Sequence, residues 1–174
     1  MIRILIHVLI VLIIFLLQVF ISGLPGNLNS ANIVLVSLIF YLVFDDINTL
    51  LYWLISLALL QESITYLPFG AMLISLSVSV FVAYLLLTSW LTNRSLYSLL
   101  ILTWVVTIIN NGVLYAYSAF INLVRDQSFM LNTELMPQRF FWSLLINSLL
   151  MLIIFNILNF INPRLKPFLL LKNR

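Results

Sequence analysis

Glu62-Ser63-Ile64-Thr65-Tyr66-Leu67-Pro68-Phe69-Gly70 is the stretch on which the reading of this chain turns. It sets a carboxylate inside an apolar run and then breaks the backbone with Pro68 and Gly70. An ionisable group in hydrocarbon costs at least ~2.5–3.5 kcal/mol, so such a residue faces protein or water. Proline cannot donate the next helical hydrogen bond, and the Pro-x-Gly pattern favours a turn. The stretch therefore predicts a helix, a break and a second helix, with a candidate functional residue beside the break.

Outward from that break the apolar character continues in both directions. Of 174 residues, 64% are hydrophobic and 7% charged, and the mean hydropathy is +1.20. A soluble domain is about one quarter charged, which excludes an ordinary water-soluble fold. Apolar runs recur at lengths near the ~20 residues that cross ~30 Å of hydrocarbon as a helix. Membrane strands would alternate apolar and polar residues, whereas Val8–Leu17 is continuously apolar. The expected fold class is an all-α polytopic membrane protein with one integral membrane domain over 1–174.

Six membrane helices are expected, at about 4–22, 32–44, 47–67, 70–91, 97–121 and 140–161. The second is short, and either tilts or extends back through Ser30. Turn residues punctuate the spans at Gly23-Leu24-Pro25-Gly26, Asp45-Asp46, Pro68-Phe69-Gly70 and Thr92-Asn93-Arg94-Ser95. Pro137 suits the first turn of the last helix, where its missing N–H forfeits nothing. The longest polar connection, 122–139, reads as a short interfacial helix. The first span is too long for a signal-peptide core and reads as an uncleaved helix.

Orientation follows from Lys and Arg, which concentrate on the cytoplasmic side. With the N-terminus inside, Arg3, Arg94, Arg164, Lys166, Lys172 and Arg174 face the cytoplasm, and Arg125 and Arg139 face outward. Both termini are therefore expected inside. Trp90 and Tyr97 then fall at the inner interface, and Tyr66 and Trp142 at the outer one. The basic tail, 162–174, is expected on the inner lipid surface, each cation contributing ~1 kcal/mol near anionic headgroups. With the basic residues at span ends, the net charge of +3 points to lipid and away from nucleic acid.

Polar side chains in the spans are few, and four share a depth. Gln18, Glu62 and Asn110 lie about 13–15 residues from the cytoplasmic ends of their helices, and Asn147 reaches a similar height from the outer end of the last. One reading is that they bond helix to helix, at roughly 0.6–2 kcal/mol each. The other is a partner or ligand groove opening outward, and Glu62, the costliest to bury, argues for it most. Ala71, Ser75, Ser79 and Ala83 recur every fourth residue as a small-residue stripe that lets another helix approach closely. The first helix has no Gly, Ala or Ser between Ile4 and Ile21 and is expected either to face lipid over much of its surface or to pack through bulky side chains.

Chemistry is sparse. There is no cysteine and only one histidine, His7, so no thiolate, disulfide or multi-histidine metal site is expected. Asp45-Asp46 reads as a solvated turn, since a Mg²⁺ site recruits further acidic ligands. No base accompanies Glu62 at its depth, and four glycines provide no phosphate-cradling loop. No catalytic residue, metal or cofactor is expected.

With these motifs in place, the chain resembles the rod shape-determining protein MreD family. In that family the third span ends in an acidic residue, two apolar residues, a Ser-Gly pair, one further residue and Pro-Leu/Phe-Gly. Glu62 through Gly70 keeps that spacing, with Glu62 for the usual Asp and Tyr66 for the Gly. The last span is also similar: Phe141-Trp142 precedes the embedded Asn147, as an aromatic pair precedes an asparagine there. The family's Pro-Asn at the second span becomes Ala31-Asn32. Tyr66 in place of Gly suggests that the third helix continues further before Pro68 stops it.

The resemblance implies a non-enzymatic scaffold of the bacterial cell-elongation machinery in the cytoplasmic (inner) membrane. Implied partners are an MreC-like protein, a RodA-type glycosyltransferase with its penicillin-binding partner and, indirectly, MreB filaments. It also implies a fold similar to the six-helix substrate-binding subunits of energy-coupling-factor vitamin transporters. Such a subunit is the rival reading. Those subunits dock their energising partner through an Ala-x-x-x-Ala pattern on the first helix, which is absent here.

Overall fold

The computed structural model describes residues 2–44, 47–65, 67–90, 95–125 and 136–161. Within them lie six α-helices: α1 (Ile2–Ser22), α2 (Ile33–Phe44), α3 (Ile47–Glu62), α4 (Ala71–Ser89), α5 (Leu96–Arg125) and α6 (Met136–Ile161). A 3-10 turn, Gly26–Ser30, joins α1 to α2. Asp45, Asp46, Tyr66, Arg94 and the tail 162–174 lie outside the described residues, as does most of the expected interfacial helix in 122–139.

Four helices hold stretches long and apolar enough to cross a membrane: Leu5–Ser22, Ala71–Ser89, Leu96–Ile121 and Gln138–Ile157. The other two are apolar but shorter. Large apolar side chains stand exposed around the outside, among them Leu9, Leu12, Phe81, Trp104, Leu149 and Phe160. A surface of that kind is compatible with lipid and incompatible with water as its solvent.

The shortest helix is the pillar of the core. α2 touches every other helix, and Val34, Leu35, Val36, Leu38, Ile39 and Val43 are buried. A helix apolar all round is one buried all round, which accounts for its lack of any polar face. Leu50, Trp53 and Leu57 of α3, Leu76 and Val80 of α4, Leu99 and Leu102 of α5 and Met151 of α6 complete the cluster. α1 lies on the periphery with only 6% of its apolar window buried, the lipid-facing arrangement of the two expected. It is pinned near its start, where the Trp53 indole N–H donates to His7 Nδ1 at 3.3 Å and Trp53 stacks on Tyr41.

Several boundaries depart from the sequence reading. α5 runs on to Arg125, four residues past the expected 121, and α6 opens at Met136, four residues before the expected 140, so both enter the stretch expected as an interfacial helix. α2 does not run back through Ser30: it starts at Ile33, behind the 3-10 turn and an extended Ala31. α3 ends at Glu62, well short of the expected Leu67, and does not continue toward Pro68. The cause is local. Ser63 Oγ bonds the Leu60 carbonyl at 2.7 Å and Thr65 Oγ1 bonds the Glu62 carbonyl at 3.3 Å, while the Ser63 and Ile64 N–H groups reach back only three residues. Hydroxyl side chains thus take over carbonyls at the helix end and tighten its last turn.

Gly70 closes the break from the other side. Its φ of +96° is left-handed, and it is the N-cap of α4. The Pro68 carbonyl accepts from Ala71 N–H at 3.2 Å, and the Phe69 carbonyl accepts from the Tyr117 hydroxyl of α5 at 3.0 Å. A Cβ on Gly70 meets Tyr117 only at 3.7 Å, an ordinary contact, so the backbone angle and not crowding demands glycine. Gly70→Ala is expected to cost about 1–2 kcal/mol, read as a lower thermal midpoint in detergent with the helical content unchanged. A midpoint equal to wild type would show that the turn relaxes freely.

Candidate functional site

The start of α2 poses the problem that organises the site. A helix leaves its first N–H groups without intrahelical partners, and a helix start packed inside a bundle must find acceptors for them. Three side-chain oxygens supply them. Asn147 Oδ1 of α6 accepts from Asn32 N–H at 2.8 Å, Gln18 Oε1 of α1 accepts from Ile33 N–H at 2.8 Å, and Asn32 Oδ1 accepts from Leu35 N–H at 2.9 Å. Asn32 is thus an N-cap of the favoured type, directly before an apolar run.

The donor ends of the same amides are also engaged. Gln18 Nε2 donates to the Ala31 carbonyl at 3.1 Å and to Ser22 Oγ at 3.2 Å. Asn147 Nδ2 donates to Thr107 Oγ1 of α5 at 3.3 Å and to Ser143 Oγ, one turn earlier on α6, at 3.4 Å. Gln18 and Asn147 are therefore saturated. They act as clamps that fix α1, α5 and α6 onto the start of α2.

Beside this clamp lies a cavity of about 190 Å³. Gln18, Asn32, Gln61, Asn110, Asn111 and Ser143 are among its lining residues. Asn111 Nδ2 holds Ser143 Oγ at 3.4 Å. Gln61 and Asn110 differ from the clamp residues. They are 4% and 2% exposed, and among the described residues Gln61 Oε1 and Asn110 Oδ1 have no hydrogen-bond partner. A second cavity of about 260 Å³, with Gln138, Arg139 and Trp142 in its wall, shares Asn29 and Ser30 with the first. The 3-10 turn thus lines both.

All four polar residues singled out in the sequence are buried at this end of the bundle. The structure brings Gln18 and Asn110 to the cavity wall, keeps Asn147 just behind it, and turns Glu62 away. Glu62 is 8% exposed and is not part of the cavity wall. Its Oε2 accepts from Leu73 N–H in the first turn of α4 at 3.3 Å, and its Oε1 is buried without a partner. A carboxylate there faces the positive end of the α4 dipole, worth about 0.3–2 kcal/mol. Glu62 is a cap delivered from one helix to the next across the break.

Gln61, one residue before the acid, is the wall residue that the sequence reading passed over. Asn32, Thr107, Asn111 and Ser143 were also missed as members of the network. The small-residue stripe, Ala71, Ser75, Ser79 and Ala83, is fully buried within the chain. Its hydroxyls are spent on their own helix, Ser79 Oγ on the Ser75 carbonyl at 2.6 Å and Ser75 Oγ on the Met72 carbonyl at 3.2 Å. The stripe therefore offers a smooth surface where α4 packs against α5, α3 and α2. Among the described residues no three His, Cys, Asp or Glu side chains gather as a metal would need.

What the fold and site define is a class: an all-helical, lipid-compatible bundle with a neutral, amide-lined cavity at one end. The chain matches no protein-family model, no curated protein and no solved structure.

Proposed function

We propose that this chain is a non-enzymatic, MreD-like membrane scaffold of the bacterial cell-elongation machinery. It spans the inner membrane six times with both termini in the cytoplasm, and binds an MreC-like protein together with a RodA-type glycosyltransferase and its penicillin-binding partner. The observation that carries the reading is the Glu62–Gly70 stretch, the motif on which the resemblance rests. Its acid, proline and glycine each have a distinct architectural task, with Glu62 on Leu73 N–H, the Pro68 carbonyl on Ala71 N–H and Gly70 in the left-handed region. A spacing kept for such a joint is more than hydropathy alone requires. In this topology α2 and α3 count as spans, α2 being completed to membrane thickness by the 3-10 turn and Ala31-Asn32.

A second reading has one observation in its favour. The cavity beside Gln61 and Asn110 is the kind of enclosure that a substrate-capture subunit of an energy-coupling-factor transporter needs. Purification of the tagged chain from native membranes in a gentle detergent, with mass spectrometry of what comes along, separates the two. The scaffold predicts an MreC-like protein and elongation synthases. Recovery of ATPase subunits with their membrane coupler would overturn it in favour of the transporter.

A further inference from the structure

We propose that the cavity between the 3-10 turn and the start of α6 is a binding site for the headgroup of an anionic phospholipid. Its place in the bundle sets the kind of molecule. The membrane-length apolar stretch of α1 ends at Ser22 and that of α6 begins at Gln138, so the cavity sits where apolar helix gives way to polar chain. That is the level of lipid headgroups, where Trp and Tyr settle. Leu28 and Phe141 stand exposed next to wall residues, and Leu145 follows one turn along α6. They form an apolar path for acyl chains, which a soluble anion does not need.

The wall sets the charge. Among the described residues Arg139 is its one charged group, and no carboxylate lines it. Arg139 lies in the first turn of α6, which carries no acidic residue, so the positive end of the helix dipole adds to its field. Gln138 stands beside it and Trp142 one turn on, with Asn27 and Asn29 of the 3-10 turn completing the wall. None of these five side chains makes a hydrogen bond or ion pair to a described residue. All five are N–H donors, and the guanidinium and indole accept nothing, so the unspent capacity of the wall suits a ligand rich in oxygen. A guanidinium fork matches two phosphate oxygens, and the amides suit the hydroxyls of an uncharged polyol. An ammonium headgroup meets a guanidinium that repels it and no carboxylate that holds it. About 260 Å³ holds roughly nine waters at ~30 Å³ each, room for a phosphate with a short polyol. The headgroup of phosphatidylglycerol has that chemistry.

Neither reading of the protein's function uses this cavity, so lipid binding here and partner recovery are separate outcomes. The full chain is titrated in an uncharged detergent with dioleoylphosphatidylglycerol or dioleoylphosphatidylcholine, and bound lipid is counted by nondenaturing mass spectrometry. One surface cation accounts for about fivefold preference for anionic lipid by itself. A site that adds the guanidinium fork and its neighbouring donors is expected to saturate at one phosphatidylglycerol and prefer it at least about twentyfold. Arg139 is exposed, so Arg139→Gln should keep the fold and weaken phosphatidylglycerol binding at least about tenfold. Arg3→Gln removes the same charge at the far end of α1 and should leave binding unchanged. Glycerophosphoglycerol, the same headgroup without acyl chains, should compete at least about a hundredfold more weakly than the lipid. Equal binding of phosphatidylcholine, or equal losses in Arg139→Gln and Arg3→Gln, would reduce the preference to general surface charge and overturn the proposal. It would also fall if glycerophosphoglycerol bound as tightly as the lipid, which would make the ligand a free phosphodiester, or if an uncharged diacylglycerol glucoside did, which would make it a sugar.

Discussion

Asn147→Leu is expected to lower the unfolding free energy by about 2–4 kcal/mol, the largest loss of any single substitution at the site. Leucine matches asparagine in branching and is the bulkier of the two, so the cost is not a cavity. It comes from Asn32 N–H, which loses its acceptor at 2.8 Å at a half-buried helix start. An orphaned buried N–H costs about 1–3 kcal/mol, and the interhelical contact to Thr107 adds about 0.6. Thr107→Val separates the two terms. It removes only the 3.3 Å bond from Asn147 Nδ2 and should cost below about 1 kcal/mol. Denaturation in mixed micelles, followed by helical circular dichroism, measures both variants. If Asn147→Leu proves no more costly than Thr107→Val, the amide is ordinary interhelical glue and α2 does not depend on it.

That dependence also explains what the sequence disclosed and what it withheld. Polar residues are so rare in this chain that Gln18, Asn110 and Asn147 stood out, and the rise per residue was enough to place them at one height. Their partners were another matter. Gln18 and Asn147 bond backbone groups of residues 31–33, and a backbone N–H leaves no mark in a sequence. One clue was present: Asn32 precedes an apolar run, as an N-cap does. Read strictly, it would have placed the start of α2 at Ile33 and excluded a helix running back through Ser30.

Gln61 and Glu62 show a second limit. Neighbouring residues on a helix point about 100° apart, so only one of the pair can face a given cavity. On an amphipathic helix the polar face would reveal which one. α3 is apolar around most of its circumference, and its periodicity does not orient it. The carboxylate drew attention because charge is expensive in a membrane, yet the neutral amide beside it is the one turned to the cavity. The end of α3 was misplaced for a related reason. The Pro-x-Gly signal marks where a helix cannot continue, whereas the stop is made earlier by Ser63 and Thr65 on carbonyls within reach.

Glu62 itself yields an ordered prediction: Glu62→Gln at or above wild-type stability, and Glu62→Leu about 1–3 kcal/mol below Glu62→Gln. Two opposing terms set the order. A carboxylate inside the membrane costs at least ~2.5–3.5 kcal/mol. The start of α4 returns at most about 2 of that, and one oxygen has no partner. Glutamine sheds the charge yet keeps an oxygen for Leu73 N–H; leucine sheds the charge but strands that donor. As a cap, Glu62 acts on any partner through the α3–α4 connection it holds in place. Glu62→Gln should then co-purify the same companions as wild type, and Glu62→Leu markedly fewer. If Glu62→Gln kept full stability but lost its companions, the carboxylate would be a direct contact, made by a partner that reaches the oxygen now buried beside α4.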